Sequence, residues 1–493
     1  MEVFPYAWNT YEENGAIGIR IFGMNHANES VFVLVTGFTP YVYLELPDHI
    51  EWPSYRVQSL STKLDTLVDR GRPVKKIFYK KKKLYYANKK LENGEYTDKT
   101  YPFLKCFFSS HSDVRPFLYK LAKPVYIDGV GPVKLKSHEQ DANPLLQLMC
   151  MKNIKPAGWF TFTHGKKVVK EDDRLSTCTH EYEVDYNRLS AVEKNTVSAP
   201  LIMGFDIEVN SSNPNIAPRV GVWEDKVFQI SCVFCRNGDS EDKYEKYILS
   251  LGKNKKGDLV DLIPEKVGDG VEMVMYNTES ELLLGFTDLI MEKNPQIITG
   301  YNIFSFDLPY IYARAKVVNC LSAFDQISCI LGEHCKEKEI NWSSSAFKNQ
   351  KFTYIDAPGR LWVDMLPIIQ RDYKLENYKL KTVSDYFLGD TKDPLSVKGI
   401  FKCYRMFTPE SLSIVAKYCV KDSELVVKLF EKLQVWIGLT EMANTCNTPV
   451  FTLFTQGQQI KIFSQVYKKC MADDIVIDKD SFIVNDNDNY TGA

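Results

Sequence analysis

The sequence predicts a multidomain protein of the α/β and α+β classes, in which a strand-rich N-terminal domain precedes a mixed sheet with flanking helices. Three observations support this prediction. The chain has 493 residues, 44% of them apolar, which is enough for two to four domains. Short alternating apolar runs dominate the first part of the chain up to residue 195. From residue 196 to 430, strand-like runs and helical patterns follow one another.

The predicted N-terminal domain contains runs rich in β-branched and aromatic residues, which are typical of strands. These runs are SVFVLVTGF, YVYLEL, KLYYA and LKCFF. Lysines interleaved with aromatic residues stand out between residues 75 and 90, with Lys80, Lys81, Lys82 and Lys83 at the centre. Such a pattern can follow a single nucleic-acid strand by phosphate contact and base stacking. A solvated hairpin whose lysines protect a sheet edge explains it equally well.

Two carboxylates lie two residues apart in the apolar run LIMGFDIEVN. The run predicts a buried strand, so Asp206 and Glu208 project from one face while Phe205 and Ile207 pack on the other. Two buried carboxylates repel each other and lose hydration unless a cation joins them. Considered alone, an Asp-x-Glu pattern is better explained by a strand end at which both acids reach solvent.

A third carboxylate, Asp307, lies where the strand-like run IITGYN passes into the helical pattern LPYIYARAKVV. Open α/β sheets place ligand groups at such junctions. Considered alone, Asp307 is better explained as a helix N-cap and Phe306 as a core residue. Before this junction, Thr278 and Glu281 predict a capping box at the start of another helix.

A phenol and a fourth carboxylate, Tyr418 and Asp422, lie four residues apart in a helical pattern and therefore share one face. A solvated Asp one turn from a half-buried Tyr is the plainer alternative. Taken together, the three motifs supply four carboxylates and a phenol. A two-metal phosphodiesterase needs such groups, as ligands for two Mg²⁺-type ions and as a group that orients the attacking water.

In this order the motifs resemble the exonuclease motifs of family B, polymerase-delta-like DNA polymerases. That domain belongs to the ribonuclease H-like Asp-Glu-Asp-Asp exonucleases with a tyrosine in the last motif. Segments 137–162, 359–395 and 450–466 are also similar to segments of this family, and the ending Asn489–Ala493 resembles the start of its palm region. The palm motifs themselves are absent from the sequence, so we expect the N-terminal half of a polymerase.

The resemblance implies a metal-dependent 3′→5′ proofreading exonuclease that acts on a frayed, single-stranded 3′ end of primer-template DNA. It implies two divalent ions, Mg²⁺ or Mn²⁺. Asp206, Glu208 and Asp422 would hold the first ion, and Asp206 would bridge to the second ion with support from Asp307. Tyr418 would orient the water.

The resemblance also implies that Asn302 and Phe306 shape the pocket for the terminal nucleotides. It implies three domains: an N-terminal domain at 1–195, the exonuclease at 196–430, and a helical connection with the start of the palm at 431–493. Related polymerases carry a strand-separating hairpin between the second and third motifs. Here Lys338–Ser345 and Lys351–Ala357 are strand-like, and 347–350 is a plausible turn.

The partners implied are DNA, the palm, fingers and thumb half of the polymerase, and a sliding clamp or other processivity factor. A source with eukaryotic-type replication or a large DNA virus fits, with the nucleus or a viral replication site as the location. Two alternative functions stay open. One is a non-catalytic scaffold that binds primer-template, and the other is a ribonuclease H-like nuclease that acts on RNA.

The composition and net charge exclude few of these functions. The formal net charge is −2, which does not exclude nucleic acid, because a basic groove can lie on a near-neutral protein. We interpret the 12 cysteines, including the isolated Cys232 and Cys235 pair, as buried thiols in a reducing compartment. Neither a signal-like N-terminus nor an apolar span of membrane length occurs, so we expect a soluble, intracellular protein without a membrane partner.

Overall fold

The computed structural model describes residues 1–84, 99–254, 256–344, 348–390 and 395–478. The strands of the described part are β1 (Glu2–Glu13), β2 (Ala16–Met24), β3 (Ser30–Thr36), β4 (Tyr41–Glu45), β5 (Lys75–Lys83), β6 (Tyr101–Phe107), β7 (Val125–Ile127), β8 (Gly131–Val133), β9 (Lys136–His138), β10 (Phe160–Phe162), β11 (Lys166–Lys167), β12 (His180–Asp185), β13 (Leu189–Ala191), β14 (Leu201–Val209), β15 (Val227–Arg236), β16 (Glu245–Leu251), β17 (Val271–Tyr276), β18 (Ile297–Gly300), β19 (Lys336–Ser344), β20 (Lys348–Asp356), β21 (Leu361–Asp364) and β22 (Ile475–Val476).

The helices of the same ranges are α1 (Ser54–Asp65), α2 (Val114–Lys120), α3 (Pro144–Lys152), α4 (Pro264–Val267), α5 (Glu279–Lys293), α6 (Asp307–Val317), α7 (Leu321–Phe324), α8 (Met365–Asp372), α9 (Leu380–Leu388), α10 (Val397–Met406), α11 (Pro409–Lys432), α12 (Val435–Cys446), α13 (Thr452–Thr455) and α14 (Gln458–Ala472). None of these helices is long and apolar enough to cross a bilayer.

A seven-stranded sheet in the order β11-β12-β3-β2-β1-β10-β13 organises the first part of the chain. On β3, Val31, Val33 and Val35 share a core with apolar residues of α3. Phe32 points to the other face and shares a second core with residues of β14, β15 and β18. Because side chains alternate along β3, one face of the strand packs on α3 and the other packs on the sheet that contains β14, β15 and β18.

A five-stranded sheet in the order β22-β5-β6-β4-β9 contains the lysine-rich strand. Lys81 pairs with Asp474 at 2.5 Å and Lys83 with Glu45 at 2.7 Å. The short strand β22 covers the edge of β5 at Lys82 and Lys83, whereas the side chain of Lys80 is exposed. DNA binding by these lysines stays a prediction, and residues 85–90 of the lysine-rich pattern lie outside the described ranges.

A six-stranded mixed sheet in the order β17-β16-β15-β14-β18-β21 carries the acidic motifs. Strands β14, β18 and β21 run parallel to one another, whereas β15 is antiparallel to β14. On β14, the ring of Phe205 lies 5.5 Å from Phe286 of α5 on one face. The long helix α11 covers the other face, which confirms the predicted mixed sheet with flanking helices.

Helix α11 lies unusually close to β14, and a glycine makes this possible. A Cβ atom on Gly204 would lie 2.5 Å from Val427 Cγ2 and 3.0 Å from the carbonyl oxygen of Ser423. The distance to Val427 Cγ2 is too short for two carbon atoms that are not bonded to each other. The contact with Ser423 involves a backbone oxygen, which cannot move aside as the end of a side chain could. Any larger side chain at residue 204 would therefore push α11 away from the sheet.

Polar residues of the neighbouring strand β15 bond the same helix. Ser231 Oγ donates to the carbonyl of Cys419 at 2.8 Å and lies 2.6 Å from Ser423 Oγ. Gln229 Nε2 donates to the carbonyl of Leu412 at 3.0 Å. Because these bonds are buried, they specify the position of α11 along the sheet as well as its distance.

The predicted hairpin between the second and third motifs is confirmed, with a shifted turn. Strands β19 and β20 pair antiparallel from Lys336↔Asp356 to Ser344↔Lys348. The predicted turn at 347–350 is wrong, because Lys348–Gln350 lie within the ladder. Residues 345–347 lie outside the described ranges. The amide of Thr353 donates to the carbonyl of Phe304 at 3.0 Å, which ties the hairpin to the second motif.

The structure also tests the predictions about a helix cap, the helical segment after residue 430 and the cysteines. The capping box of Thr278 and Glu281 at the start of α5 is confirmed. Most of 431–470 is helical as predicted, and α14 packs on α3. Cys232 and Cys235 are buried as predicted, but the thiols of Cys150 and Cys403 are only half-buried.

We expect Gly204→Ala to lower the free energy of unfolding by about 1–3 kcal/mol, because α11 must move or strain to admit the methyl group. Urea unfolding followed by circular dichroism measures the change. Gly438→Ala on α12 is the matched control, since nothing lies within 4 Å of a Cβ there. That control should stabilise the helix by up to about 1 kcal/mol. Equal effects of both variants would contradict the close contact at Gly204.

Candidate active site

The three acidic motifs meet in one pocket of about 260 Å³ beside the C-terminal end of β14. Seven residues predicted from the sequence line it together: Asp206, Glu208, Asn302, Phe306, Asp307, Tyr418 and Asp422. They come from β14, from the loop that leads into α6, from the first residue of α6, and from α11. The sheet and its two helices thus bring together residues that are more than 200 positions apart in the sequence. The individual roles of these residues stay predictions.

The two carboxylates of β14 face α11, as the strand period predicts. Glu208 is only 6% exposed and Asp206 is half-buried, so the alternative of a solvated strand end is wrong. One ligand atom each of Asp206, Glu208 and Cys419 lie within 4.8 Å of one another. Burial, reinforced by the two carboxylates, holds the pKa of the Cys419 thiol well above its usual range. The thiol therefore stays protonated and packs under the acids as a neutral group.

Asp307 faces Asp206 across the pocket. Its carboxyl group is 4% exposed, and burial followed by the charge of Asp206 raises its pKa well above the usual range. Asp307 is the first residue of α6, while Phe306 occupies the N-cap position without a side-chain bond, so the N-cap interpretation of Asp307 is wrong. A cation between the two carboxylates would offset both the burial and the repulsion.

Asp422 and Tyr418 lie one turn apart on the same face of α11. Asp422 is 2% exposed and Tyr418 is 7% exposed, so the alternative of a solvated Asp is wrong. The pocket thus contains four carboxylates, at least three of them buried. Carboxylate oxygens are hard ligands of the kind that Mg²⁺ and Mn²⁺ prefer, so this donor set fits such an ion.

Asp364, which the sequence analysis did not identify, positions the loop of the second motif. Its Oδ1 accepts from the amides of Asn302 at 2.8 Å and Leu366 at 3.0 Å, and its Oδ2 accepts from the amide of Phe304 at 3.1 Å. The bonds stabilise Asn302 at φ 67°, in the left-handed region. An Asp between the buried run LWV and a helical pattern was the available signal, since it marks an N-cap.

A buried ion pair, also missed from the sequence, supports the other wall. Arg314 of α6 is fully buried, and its Nε donates to Glu279 Oε1 at 2.8 Å. Its Nη1 donates to the carbonyls of Val220 at 2.7 Å and Val222 at 3.0 Å. These residues belong to the segment after the first motif, whose Pro218 lines the pocket. A single Arg inside the apolar helical run YIYARA was the signal.

Comparison with known sequences gives a family match. The model of "DNA polymerase family B, exonuclease domain" matches residues 135–383. The chain is 43% identical to the DNA polymerase of Invertebrate iridescent virus 3, over 99% of this chain and 44% of that protein. It is 30% identical to the DNA polymerase delta catalytic subunit of Plasmodium falciparum, over 96% of this chain and 42% of that protein. The chain therefore spans less than half the length of these relatives.

Comparison with solved structures gives the same fold. The family B DNA polymerase from the archaeon Pyrobaculum calidifontis superposes with a TM-score of 0.68 over 99% of this chain and 52% of that chain. The sequence identity is 17%, so this match concerns the fold alone.

We expect Asp364→Ala to lower the free energy of unfolding by at least about 2 kcal/mol, because three backbone amides lose their acceptor in a buried position. Chemical unfolding measures the loss, and hydrogen exchange at the amides of Asn302 and Phe304 should accelerate. Asp128→Ala is the control, because this Asp is exposed and pairs only with surface groups; its effect should stay within about 0.5 kcal/mol. Unchanged exchange at Asn302 would contradict the positioning role.

Proposed function

The chain belongs to DNA polymerase family B, whose exonuclease domain it contains, and from this premise we propose that its acidic pocket removes nucleotides from the 3′ end of DNA. The substrate would be a frayed, single-stranded 3′ end, and the reaction is hydrolysis of the terminal phosphodiester. The observation that carries the proposal is the convergence of Asp206, Glu208, Asp307 and Asp422 on one pocket. Structural acids without a ligand role are rarely gathered and buried in this way.

We assign the carboxylates to two divalent ions, Mg²⁺ or Mn²⁺. Asp206, Glu208 and Asp422 would hold the first, and Asp206 with Asp307 would hold the second. Such ions, when bound, supply Lewis-acid stabilisation of the phosphoryl oxygens and lower the pKa of the attacking water. The raised pKa of Asp307 supports the assignment, because a carboxyl group that resists ionisation beside Asp206 becomes a good ligand once a cation compensates both charges.

The remaining residues of the pocket would orient the reactants. The phenol of Tyr418 lies one turn before Asp422 on a long, well-packed helix, so it can orient the water for in-line attack. Asn302 and Phe306 would hold the terminal nucleotide. The backbone of Asn302 is held by Asp364, and the ring of Phe306 packs 5.5 Å from that of Tyr310. Both groups are thus pre-positioned before DNA binds.

For the whole protein we propose DNA-directed DNA synthesis with proofreading, since the relatives are DNA polymerases. The partners would then be primer-template DNA, the palm, fingers and thumb part of the polymerase, and a processivity factor such as a sliding clamp. A nuclear or viral replication site would be the location. The division at residues 195 and 430 is part of the same proposal.

Asp206→Ala should lower the Mg²⁺-dependent digestion of single-stranded DNA by at least about 10³-fold, because Asp206 is a ligand of both ions. The thermal midpoint should not fall, since one of several repelling acids is removed. Digestion of 5′-labelled DNA and of RNA of the same sequence measures the activity and its preference. Asp128→Ala should digest DNA at the wild-type rate. An Asp206→Ala variant that keeps a tenth of the activity would refute the assignment, and faster digestion of RNA would favour an RNA nuclease.

Tyr418→Phe should reduce the rate less than Asp422→Ala does. The first change removes only a hydroxyl group that orients water, whereas the second removes a charge that holds an ion. Single-turnover digestion at saturating Mg²⁺ compares the two variants, and circular dichroism checks that α11 is intact in both. If the two losses are equal, or their order is reversed, the division of roles is wrong.

A further inference from the structure

We propose that a second cleft, adjacent to the acidic pocket, binds a phosphate and a base of the same DNA strand, upstream of the terminal nucleotide. This inference rests on the proposed function. The second cleft has a volume of about 220 Å³ and lies between the loop of the second motif, β20, α8 and the start of α14. Its main lining residues are Phe304, Phe352, Arg371, Phe454, Gln458 and Lys461.

The second cleft continues directly from the acidic pocket. Asn302 lines both of them. Along the same loop, Phe304 and Ser305 line the second cleft, whereas Phe306 and Asp307 line the acidic pocket. A strand whose last phosphodiester lies at the acids therefore has a short path past Asn302 into the second cleft.

The second cleft contains a buried cation that no carboxylate neutralises among the described residues. Lys461 is 8% exposed, and its ammonium group donates to the carbonyl of Leu453 at the long distance of 3.4 Å. An ammonium group has three donors, so most of its capacity remains for a ligand. Burial lowers the pKa of Lys461 against a smaller opposing effect of Cys446, and the charge of Arg371 acts in the same direction as burial. A bound phosphate would offset the effects of burial and of Arg371.

The surrounding charges also favour an anion. Lys351 and Arg371 line the second cleft with Lys461, although Lys351 also pairs with Glu339 at 3.2 Å and Arg371 with Asp372 at 2.6 Å. Asp364 also lines the second cleft, but its oxygens already accept from three backbone amides. The lining therefore carries three basic side chains and one carboxylate, and Lys461 is the basic group for which no ion pair is found among the described residues.

The start of α14 adds backbone donors to this wall. Gly457 at the N-cap offers no side-chain cap, and the first turn of this 15-residue helix has no acidic residue. Gly457 and Gln458 line the second cleft, and Lys461 follows one turn later on the same side. Amides at an uncapped helix start together with a buried cation are suited to a phosphate group.

An aromatic wall distinguishes a nucleotide from a bare phosphate. The rings of Phe304 and Phe352 stack at 5.0 Å with an angle of 26°, and Phe454 lies edge-on to Phe304 at 6.3 Å. Phe304 is 3% exposed and supports the ring of Phe352, so the half-buried rings of Phe352 and Phe454 are the ones that a base can reach. Aromatic rings accept the flat face of any base, independent of sequence. The continuity at Asn302 favours a strand over a free nucleotide as the source of this phosphate and base.

The test compares two substrates in wild type, Lys461→Met and Lys469→Met. Thymidine 5′-monophosphate p-nitrophenyl ester reaches the acidic pocket alone, whereas a single-stranded decanucleotide can reach both sites. In Lys461→Met, the ratio of kcat/KM for the decanucleotide to that for the ester should fall about tenfold, as expected for a lost charged hydrogen bond. Lys469→Met should keep the wild-type ratio, because Lys469 lies on the same helix but is exposed and pairs with Asp473.

Binding of the fluorescent decanucleotide without divalent ions gives a second readout that needs no hydrolysis. The slope of log affinity against log salt should become smaller by about 0.7 in Lys461→Met, the value for one lost phosphate contact on a single strand. Lys351→Met, on the exposed hairpin, should also reduce the slope. Because this substitution is at an exposed residue, it provides the test if Lys461→Met fails to fold.

The outcomes separate this inference from the proposed function. If wild type hydrolyses neither substrate but the salt slope changes in the variants, the proposed exonuclease function fails, whereas DNA binding in the second cleft is supported. An unchanged salt slope and an unchanged kcat/KM ratio in folded Lys461→Met would overturn the proposal that the second cleft binds the DNA strand. A loss of affinity for deoxynucleoside monophosphate as large as the loss for the decanucleotide would also overturn it, because the occupant would then be a free nucleotide.

Discussion

The contact between α11 and β14 at Gly204 is the constraint on which the acidic pocket depends. Two of the acids stand on the strand and one stands on the helix, so their separation is set by how closely these elements approach. Gly204 permits the approach, and Ser231 specifies the position along the sheet through buried bonds to the helix. The geometry of the acidic pocket thus depends on neighbouring residues that carry no charge themselves.

Two buried charged groups hold the remaining walls in the same indirect way. Asp364 accepts from three backbone amides and thereby orients the loop before Asp307. Arg314 connects α6 to Glu279 and to the carbonyls beside Pro218. Buried charges are costly unless they are fully bonded, and here each one is bonded to segments that would otherwise be loose. The acidic pocket can therefore tolerate repulsion between its carboxylates, because the surrounding segments are held by hydrogen bonds of Asp364 and Arg314 that do not involve those carboxylates.

The second cleft extends this arrangement toward the hairpin and the last helices. Phe304 belongs to the second motif, yet it stacks on Phe352 of β20 and contacts Phe454 of the segment before α14. One loop thus separates an acidic pocket from a cleft lined by three basic side chains. Opposite electrostatics on its two sides suit one strand whose terminal phosphodiester is cleaved while an upstream phosphate is held.

The sequence by itself determined the fold class, the family resemblance and the identity of the pocket residues. The period of two around Asp206 and the spacing of four between Tyr418 and Asp422 are local properties, and they predicted which side chains share a face. Only the tertiary structure decided that these faces meet, that Asp307 is not a helix cap, and that Lys81 is paired with Asp474. These facts depend on contacts between residues far apart in the chain, for which local periodicity carries no signal.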